Sequence, residues 1–387
     1  MRFEFATAGR IVFGPGSVRE AAPAAKEMGA RALVVTGCPP GRAAALVADL
    51  GKHGVTAVTV EVCFEPTVKL VREGLALARR ERCDVVIAIG GGSAIDAAKA
   101  IAALIANGGD PLDYLEVVGR GQPLRLPSAP FIALPTTAGT GAEATRNAVL
   151  ASPGHRVKAS LRSPFMLPRL ALVDPELTYD LPAAVTASTG LDALTQLIEP
   201  YVSLRANPMT DGFCLEGMRR AARSLERACA APRDCAARED MALASLFGGL
   251  ALANAGLGAV HGFAAPVGGM FPAPHGAVCA ALLPHVMMAN LRALHARAPG
   301  SPAIERYQTV ARALTGRADA SAEDGAAWAA QTARRLDIPP LGSYGVGPQD
   351  VPALIEKAAR ASSMKGNPIE LTAEELTEIV TAALTLS

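Results

Sequence analysis

Two histidines and one carboxylate carry the clearest chemical signal in this chain. It has six histidines, and three of them, His261, His275 and His285, lie between Asp240 and Arg292, a stretch with no Asp, Glu, Lys or Arg. A polar side chain there needs a reason to exist. A lone histidine among apolar residues is more often a hydrogen-bonded core residue than a ligand. Two of them, each in a glycine-rich context and joined by Asp192 on a neighbouring helical pattern, look like His/His/Asp coordination of a divalent ion with one open position. His53, His155 and His295 sit among polar residues and are expected to face solvent. His285, in LLPHVM, is expected to be structural.

A second chemical signal is DVVIAIGGGSAIDAAKAIAALIA, from Asp84 to Ala106. It reads as a strand, a GGGS turn and a helix with apolar positions at helical spacing. At such a junction free backbone N–H groups and the helix dipole favour phosphate, and glycine lets the backbone approach it. The GxGxxG dinucleotide fingerprint is absent, because Ile95 stands where its last glycine would be. GGGS alone serves a tight turn as readily as a ligand. A second loop, LPTTAGTGAEAT (Leu134–Thr145), follows another strand and offers hydroxyls and amides suited to phosphate or ribose. Two such loops at the carboxyl ends of parallel strands point to a bound dinucleotide.

The elements that must position these groups fall into two halves. RALVVTG (31–37), VTAVTVEV (55–62), CDVVIAIG (83–90) and PFIALPT (130–136) are short apolar runs separated by helical stretches, the pattern of a parallel sheet covered on both faces. After DPELTYDLP (174–182) strand signals stop and the patterns are helical, ending in the capped-looking LTAEELTEIVTAALT. Two domains are therefore expected: residues 1–182, an α/β NAD(P)-binding domain, and residues 183–387, an all-helical metal and substrate domain, with a cofactor cleft between them.

Lys+Arg 37 against Asp+Glu 36 leaves a net charge of +1, which argues against nucleic acid or an anionic membrane as the main partner. Seven cysteines without a CxxC pair fit a reduced, cytoplasmic compartment, and the N-terminus carries no signal-peptide pattern. The charge-free stretch is broken by four prolines and many glycines, so buried helices are expected there rather than a membrane span.

IGGGSAIDAAK, PTTAGTGAEAT, DPELT…LP…TASTGLDAL and NAGLGAVHGFAAPVGGMFPAPHG together resemble the iron-containing (group III, metal-dependent) alcohol dehydrogenase family, over nearly the whole chain. The resemblance implies a dehydroquinate-synthase-like fold that binds NADP or NAD and one divalent metal, iron or zinc. It implies that Gly91, Gly92 and Ser93 hold the pyrophosphate, and that Asp96, Thr136, Thr137, Thr140 and Lys158 are cofactor-side positions. It adds a second ligand position four residues after Asp192. The family has histidine there, and this chain has Gln196. The amide then ligates through oxygen, gives way to water, or leaves a metal-poor site; a retained metal is expected, with zinc level with iron. A histidine found in many members four residues after His261 is Ala265 here, which leaves the proton path unassigned. Gly37 stands where NAD-preferring relatives often carry Asp, with Arg42 nearby, so NADPH is expected to be accepted at least as well as NADH.

The expected activity is hydride transfer between NAD(P)(H) and a small alcohol, aldehyde or ketone whose oxygen the metal polarises, by a homodimer. Leu252, Phe263, Met270 and Phe271 suggest an apolar pocket. Rival readings are a maleylacetate reductase, which would need basic residues that 241–291 lacks, a lyase or cyclase of the dehydroquinate-synthase kind, and a non-catalytic NADP-binding protein.

Overall fold

In a computed structural model that describes residues 2–155 and 157–385, the N-terminal part is built on one six-stranded sheet. The strands are β1 (Ile11–Phe13), β2 (Arg31–Gly37), β3 (Thr56–Val62), β4 (Val85–Gly90), β5 (Phe131–Pro135) and β8 (Leu170–Val173), and every pairing among them is parallel in the order β1-β8-β5-β4-β2-β3. Alternate residues of β2 and β4 bury on opposite faces: Leu33, Val35, Val86 and Ala88 on one, Ala32, Val34, Val85 and Ile87 on the other. Both faces are covered, which is why these strands read as unbroken apolar runs. The covering helices are α1 (Ala21–Met28), α2 (Ala44–Lys52), α3 (Val68–Arg80) and α4 (Gly92–Asn107), followed by the single turn α5 (Pro111–Tyr114). A separate antiparallel hairpin, β6 (Asn147–Ser152) with β7 (Val157–Arg162), had no counterpart in the sequence expectation.

The rest is helical: α6 (Ala183–Val202), α7 (Pro208–Ala230), α8 (Cys235–Ala255), α9 (Ala259–Met270), α10 (His275–Arg297), α11 (Pro302–Thr315), α12 (Ala322–Arg335), α13 (Val351–Ala359) and α14 (Ala373–Ala383). The cap expected at the last helix is present, with Thr372 Oγ1 accepting from Glu375 N and Glu375 Oε2 accepting from Thr372 N. The helices pack closely through glycines: a Cβ at Gly190 would lie 2.3 Å from Leu225 Cδ1, and one at Gly217 would lie 2.6 Å from Leu197 Cδ2. Helix α6 is thereby locked against α7, which fixes the face that carries Asp192.

Two compact units result. One comprises Phe5–Thr137 and Gly141–Tyr179; the other comprises Met1–Glu4, Ala138–Thr140 and Asp180–Ser387. One division falls near residue 180, and Ala138–Thr140, inside the Thr/Gly loop, group with the helical unit. Among the described residues, one helix, α10, is long and apolar enough to cross a membrane, and 78% of its apolar window is buried inside the protein, as in a core helix.

Cys38 and Cys63, which the sequence reading left as scattered cysteines, lie side by side with their Cα atoms 5.0 Å apart. They are 25 residues apart, and the parallel register that sets Gly37 opposite Val62 brings the next residue of each strand alongside the other. Cys83, Cys214, Cys229, Cys235 and Cys279 are free.

Candidate metal centre and nucleotide loops

Three helices converge on one small volume. Helix α6 brings Asp192, Gln196 and Glu199 at spacings of four and three, so all three share a face. Helix α9 brings His261 in its first turn, and α10 opens on His275 with Cys279 one turn later. A Cβ at Gly276 would lie 2.6 Å from Ser188 O, so only glycine lets the start of α10 press against the α6 backbone and carry His275 to Asp192.

One ligand atom from each of Asp192, His261, His275 and Cys279 lies within 4.8 Å of the other three. Asp192 Oδ1 is 3.4 Å from His261 Nε2 and 3.7 Å from His275 Nε2; Cys279 Sγ is 3.8 Å and 3.7 Å from the same nitrogens. Ligands around an ion at about 2.0–2.3 Å stand roughly 3.3–3.8 Å apart in a tetrahedron, so these residues fit a divalent ion. Asp192 is 1% exposed, yet its Oδ1 accepts no hydrogen bond, and neither does the buried Gln196 Oε1. A buried, unpaired carboxylate oxygen costs free energy that a cation would offset.

Glu199 supplies the support. Its Oε2 accepts from His261 Nδ1 at 2.6 Å and its Oε1 from Val260 N at 2.7 Å. Because a carboxylate only accepts, the imidazole proton sits on Nδ1, which leaves Nε2 to face Asp192 and Cys279. The electrostatics agree. Burial pushes His275 down, but Cys279 and Asp192 outweigh it and pull it up to about 9. His261 is raised as well, burial being outweighed by Cys279, Glu199 and Asp192. Asp192, pushed up by burial, ends below the ordinary carboxylate range because His275 and His261 face it. Negative groups thus surround one point, the field a divalent cation favours.

The nucleotide candidates sit on the α/β unit, apart from Thr140. Gly91 is the N-cap of α4 with no side-chain cap, and Gly91, Gly92 and Ser93 are all partly exposed. First-turn N–H groups have no acceptor within their own helix, so this end is open to an anion. Gly90 has a packing role instead, since a Cβ there would lie 2.6 Å from Ala94 Cβ and 2.9 Å from Gly37 N. Thr137 stands beside Gly91, and buried Thr136 donates its N–H to Gly90 O at 2.9 Å. Asp96 is committed to Val149 N at 3.0 Å and to Lys99 at 3.5 Å, and Lys158 pairs with Glu65 at 2.8 Å. Thr140 is half-buried and groups with the helical unit.

Residues 8–175 match the family described as iron-containing alcohol dehydrogenase, and residues 186–384 match the C-terminal domain of the Fe-containing alcohol dehydrogenase family. The chain belongs to the iron-containing alcohol dehydrogenase family. It is 36% identical over 381 residues to alcohol dehydrogenase 4 of Schizosaccharomyces pombe, covering 96% of this chain and 87% of that protein. It is 34% identical to the NAD-dependent methanol dehydrogenase of Bacillus methanolicus, covering 96% and 97%. A solved 1,3-propanediol oxidoreductase superposes with a TM-score of 0.90 at 33% identity, covering 99% of this chain and 100% of that one. The family is enzymatic, its members here are named as alcohol dehydrogenases and oxidoreductases, and the parallel-sheet unit with a helical C-terminal unit is the fold of its solved structures.

Of the sequence-named ligand candidates, Asp192, His261 and His275 lie in one cluster. Gln196 lies on the same helix face, but its Nε2 donates to Gly139 O at 3.2 Å. Sequence reasoning missed Glu199 and Cys279. Glu199 had a signal, an acid seven residues after Asp192 on one helix face; so did Cys279, four residues after His275. The pocket expectation for Phe263 fails, because that ring is fully buried in the helical core.

Proposed function

We propose that the protein is a metal-dependent, NAD(P)-linked oxidoreductase acting on a small alcohol and the corresponding aldehyde or ketone. The observation that carries this reading is the buried Asp192 Oδ1, unpaired and facing His261 Nε2 and His275 Nε2, in a chain of an alcohol dehydrogenase family. A divalent ion, iron or zinc, held by Asp192, His261 and His275 supplies a Lewis acid that polarises the substrate oxygen and lowers the cost of alkoxide charge. Glu199 holds His261 in the Nδ1–H tautomer, and the Gly276 contact sets the approach of His275. Gln196 Oε1, buried and unpaired, is a polar group available at the same helix face.

For the nucleotide, Gly91, Gly92 and Ser93 offer the α4 N-terminus to the pyrophosphate, with Thr137 beside Gly91. At the end of β2, Gly37 presents no carboxylate to repel a 2′-phosphate, and Arg42 lies in the short turn that follows. NADPH is therefore proposed as at least as good a cofactor as NADH. A homodimer in a cytoplasmic setting completes the reading.

Metal analysis beside initial rates on an aldehyde panel, with NADPH and NADH, before and after chelation, tests it. The expected results are one divalent ion per chain, activity lost on chelation and restored by zinc or iron(II), and kcat/KM for NADPH equal to or above that for NADH. Full activity without any metal rejects the proposal. A strong NADH preference overturns its cofactor part. Product formation with no net change in reduced-nicotinamide absorbance assigns the protein to the lyase class instead.

A further inference from the structure

The cluster holds a fourth donor that the sequence expectation had given to Gln196. We infer that Cys279, as thiolate, is the fourth protein ligand, which makes the centre an Asp/His/His/Cys site built for zinc. The inference rests on the metal-dependent reading above and specifies the donor set of that centre.

Geometry supports it first. Cys279 Sγ lies 3.8 Å from His261 Nε2 and 3.7 Å from His275 Nε2, the spacing of thiolate and imidazole on one ion, which would still accept a substrate oxygen by expanding to five-coordinate. The side chain is fully buried, and the position one turn after His275 aims both residues of α10 at the same point. Gln196 donates its amide nitrogen to Gly139 O, and its buried Oε1 remains without a partner.

Charge balance supports it independently. A divalent ion with Asp192, two neutral imidazoles and the Gln196 amide would leave one net positive charge in a site where Asp192 is 1% and His261 7% exposed. Burying such a charge is costly. Replacing the amide by a thiolate makes the first coordination sphere neutral. Binding then releases the thiol proton to solvent, and no oxidant or reductant is needed. A soft sulfur donor also selects zinc over harder ions such as magnesium or manganese, and zinc stands above iron(II) in affinity for a given site. Among the described residues, no other free cysteine belongs to a group of three or more such donors.

The test uses the full chain, stripped of metal and reloaded with cobalt(II) or zinc, with Cys279→Ser, Cys279→Ala and the remote buried control Cys214→Ser. The wild-type protein and Cys214→Ser should bind one cobalt per chain and show thiolate-to-cobalt charge-transfer absorption in the near ultraviolet. Zinc-edge absorption should show one sulfur at about 2.3 Å. Both Cys279 variants should lose the band and the sulfur shell, and bind zinc at least tenfold more weakly. Circular dichroism checks their fold. Loaded wild-type protein with only nitrogen and oxygen neighbours overturns the inference and leaves the metal-dependent reading standing. A band that persists in Cys279→Ser overturns it too. Wild-type protein that takes up no metal overturns both together.

Discussion

Glu199 touches none of the proposed reacting groups, yet its replacement by glutamine should weaken metal binding strongly. The carboxylate accepts two hydrogen bonds, from Val260 N at 2.7 Å and from His261 Nδ1 at 2.6 Å. Glutamine has one acceptor and one donor end, so one partner must meet an amide NH₂. Turning the NH₂ toward Val260 leaves two buried donors opposed, a cost of about 1–3 kcal/mol. Turning it toward His261 is cheaper, because the imidazole can move its proton from Nδ1 to Nε2 and then accept. That proton lands on the atom 3.4 Å from Asp192 Oδ1, where the ion should bind. Loss of such an outer partner typically lowers metal affinity 10–100-fold, or about 1.4–2.7 kcal/mol. Competition against a chromophoric chelator measures the zinc Kd of Glu199→Gln and wild type, with circular dichroism to check the fold. A folded Glu199→Gln protein whose Kd lies within twofold of wild type would refute the tautomer argument.

The approach of α10 to α6 makes a similar demand on backbone space. Gly276→Ala places a methyl 2.6 Å from Ser188 O and should shift His275 away from Asp192, lowering metal affinity at least tenfold in the same titration; unchanged affinity would show that the close approach is not what sets the site. A pH prediction concerns Glu143 in the α/β unit, which is 1% exposed and raised from 4.5 to about 7, burial outweighing a backbone hydrogen bond and Lys99. Its folded-state pKa lies above the unfolded value, so its contribution to stability is fully present below about pH 4.5 and is lost as pH rises through about 7. A shift of this size corresponds to about 3 kcal/mol. Wild type should lose that much stability relative to Glu143→Gln between pH 4.5 and 8 in urea melts, and parallel curves would contradict it.

What the sequence made legible follows from what each residue must satisfy locally. The strands β2, β4 and β5 are continuous apolar runs because helices cover both faces, and a one-dimensional pattern records that directly. The three residues of β1 and four of β8 are too short to carry a period, and β6 alternates half-buried and buried residues rather than forming a continuous apolar run. The grouping of Ala138–Thr140 with the helical unit was beyond any single boundary drawn along the chain.

The site divides by the same logic. Asp192, His261 and His275 announced themselves because a charge or an imidazole inside a buried apolar stretch has no bland explanation once two more converge on it. Cys279 did not, because a buried thiol packs like a small apolar side chain and costs nothing where it sits. The Cys38–Cys63 proximity was hidden for another reason, since strand register rather than sequence spacing makes it. Gln196 is a different case. Its place on the helix matched a ligand position; there its amide nitrogen bonds the Gly139 carbonyl while its buried Oε1 has no partner. Asp192 Oδ1, likewise without a hydrogen bond, also faces the Nε2 atoms of both His261 and His275, and that convergence is the stronger evidence for an ion.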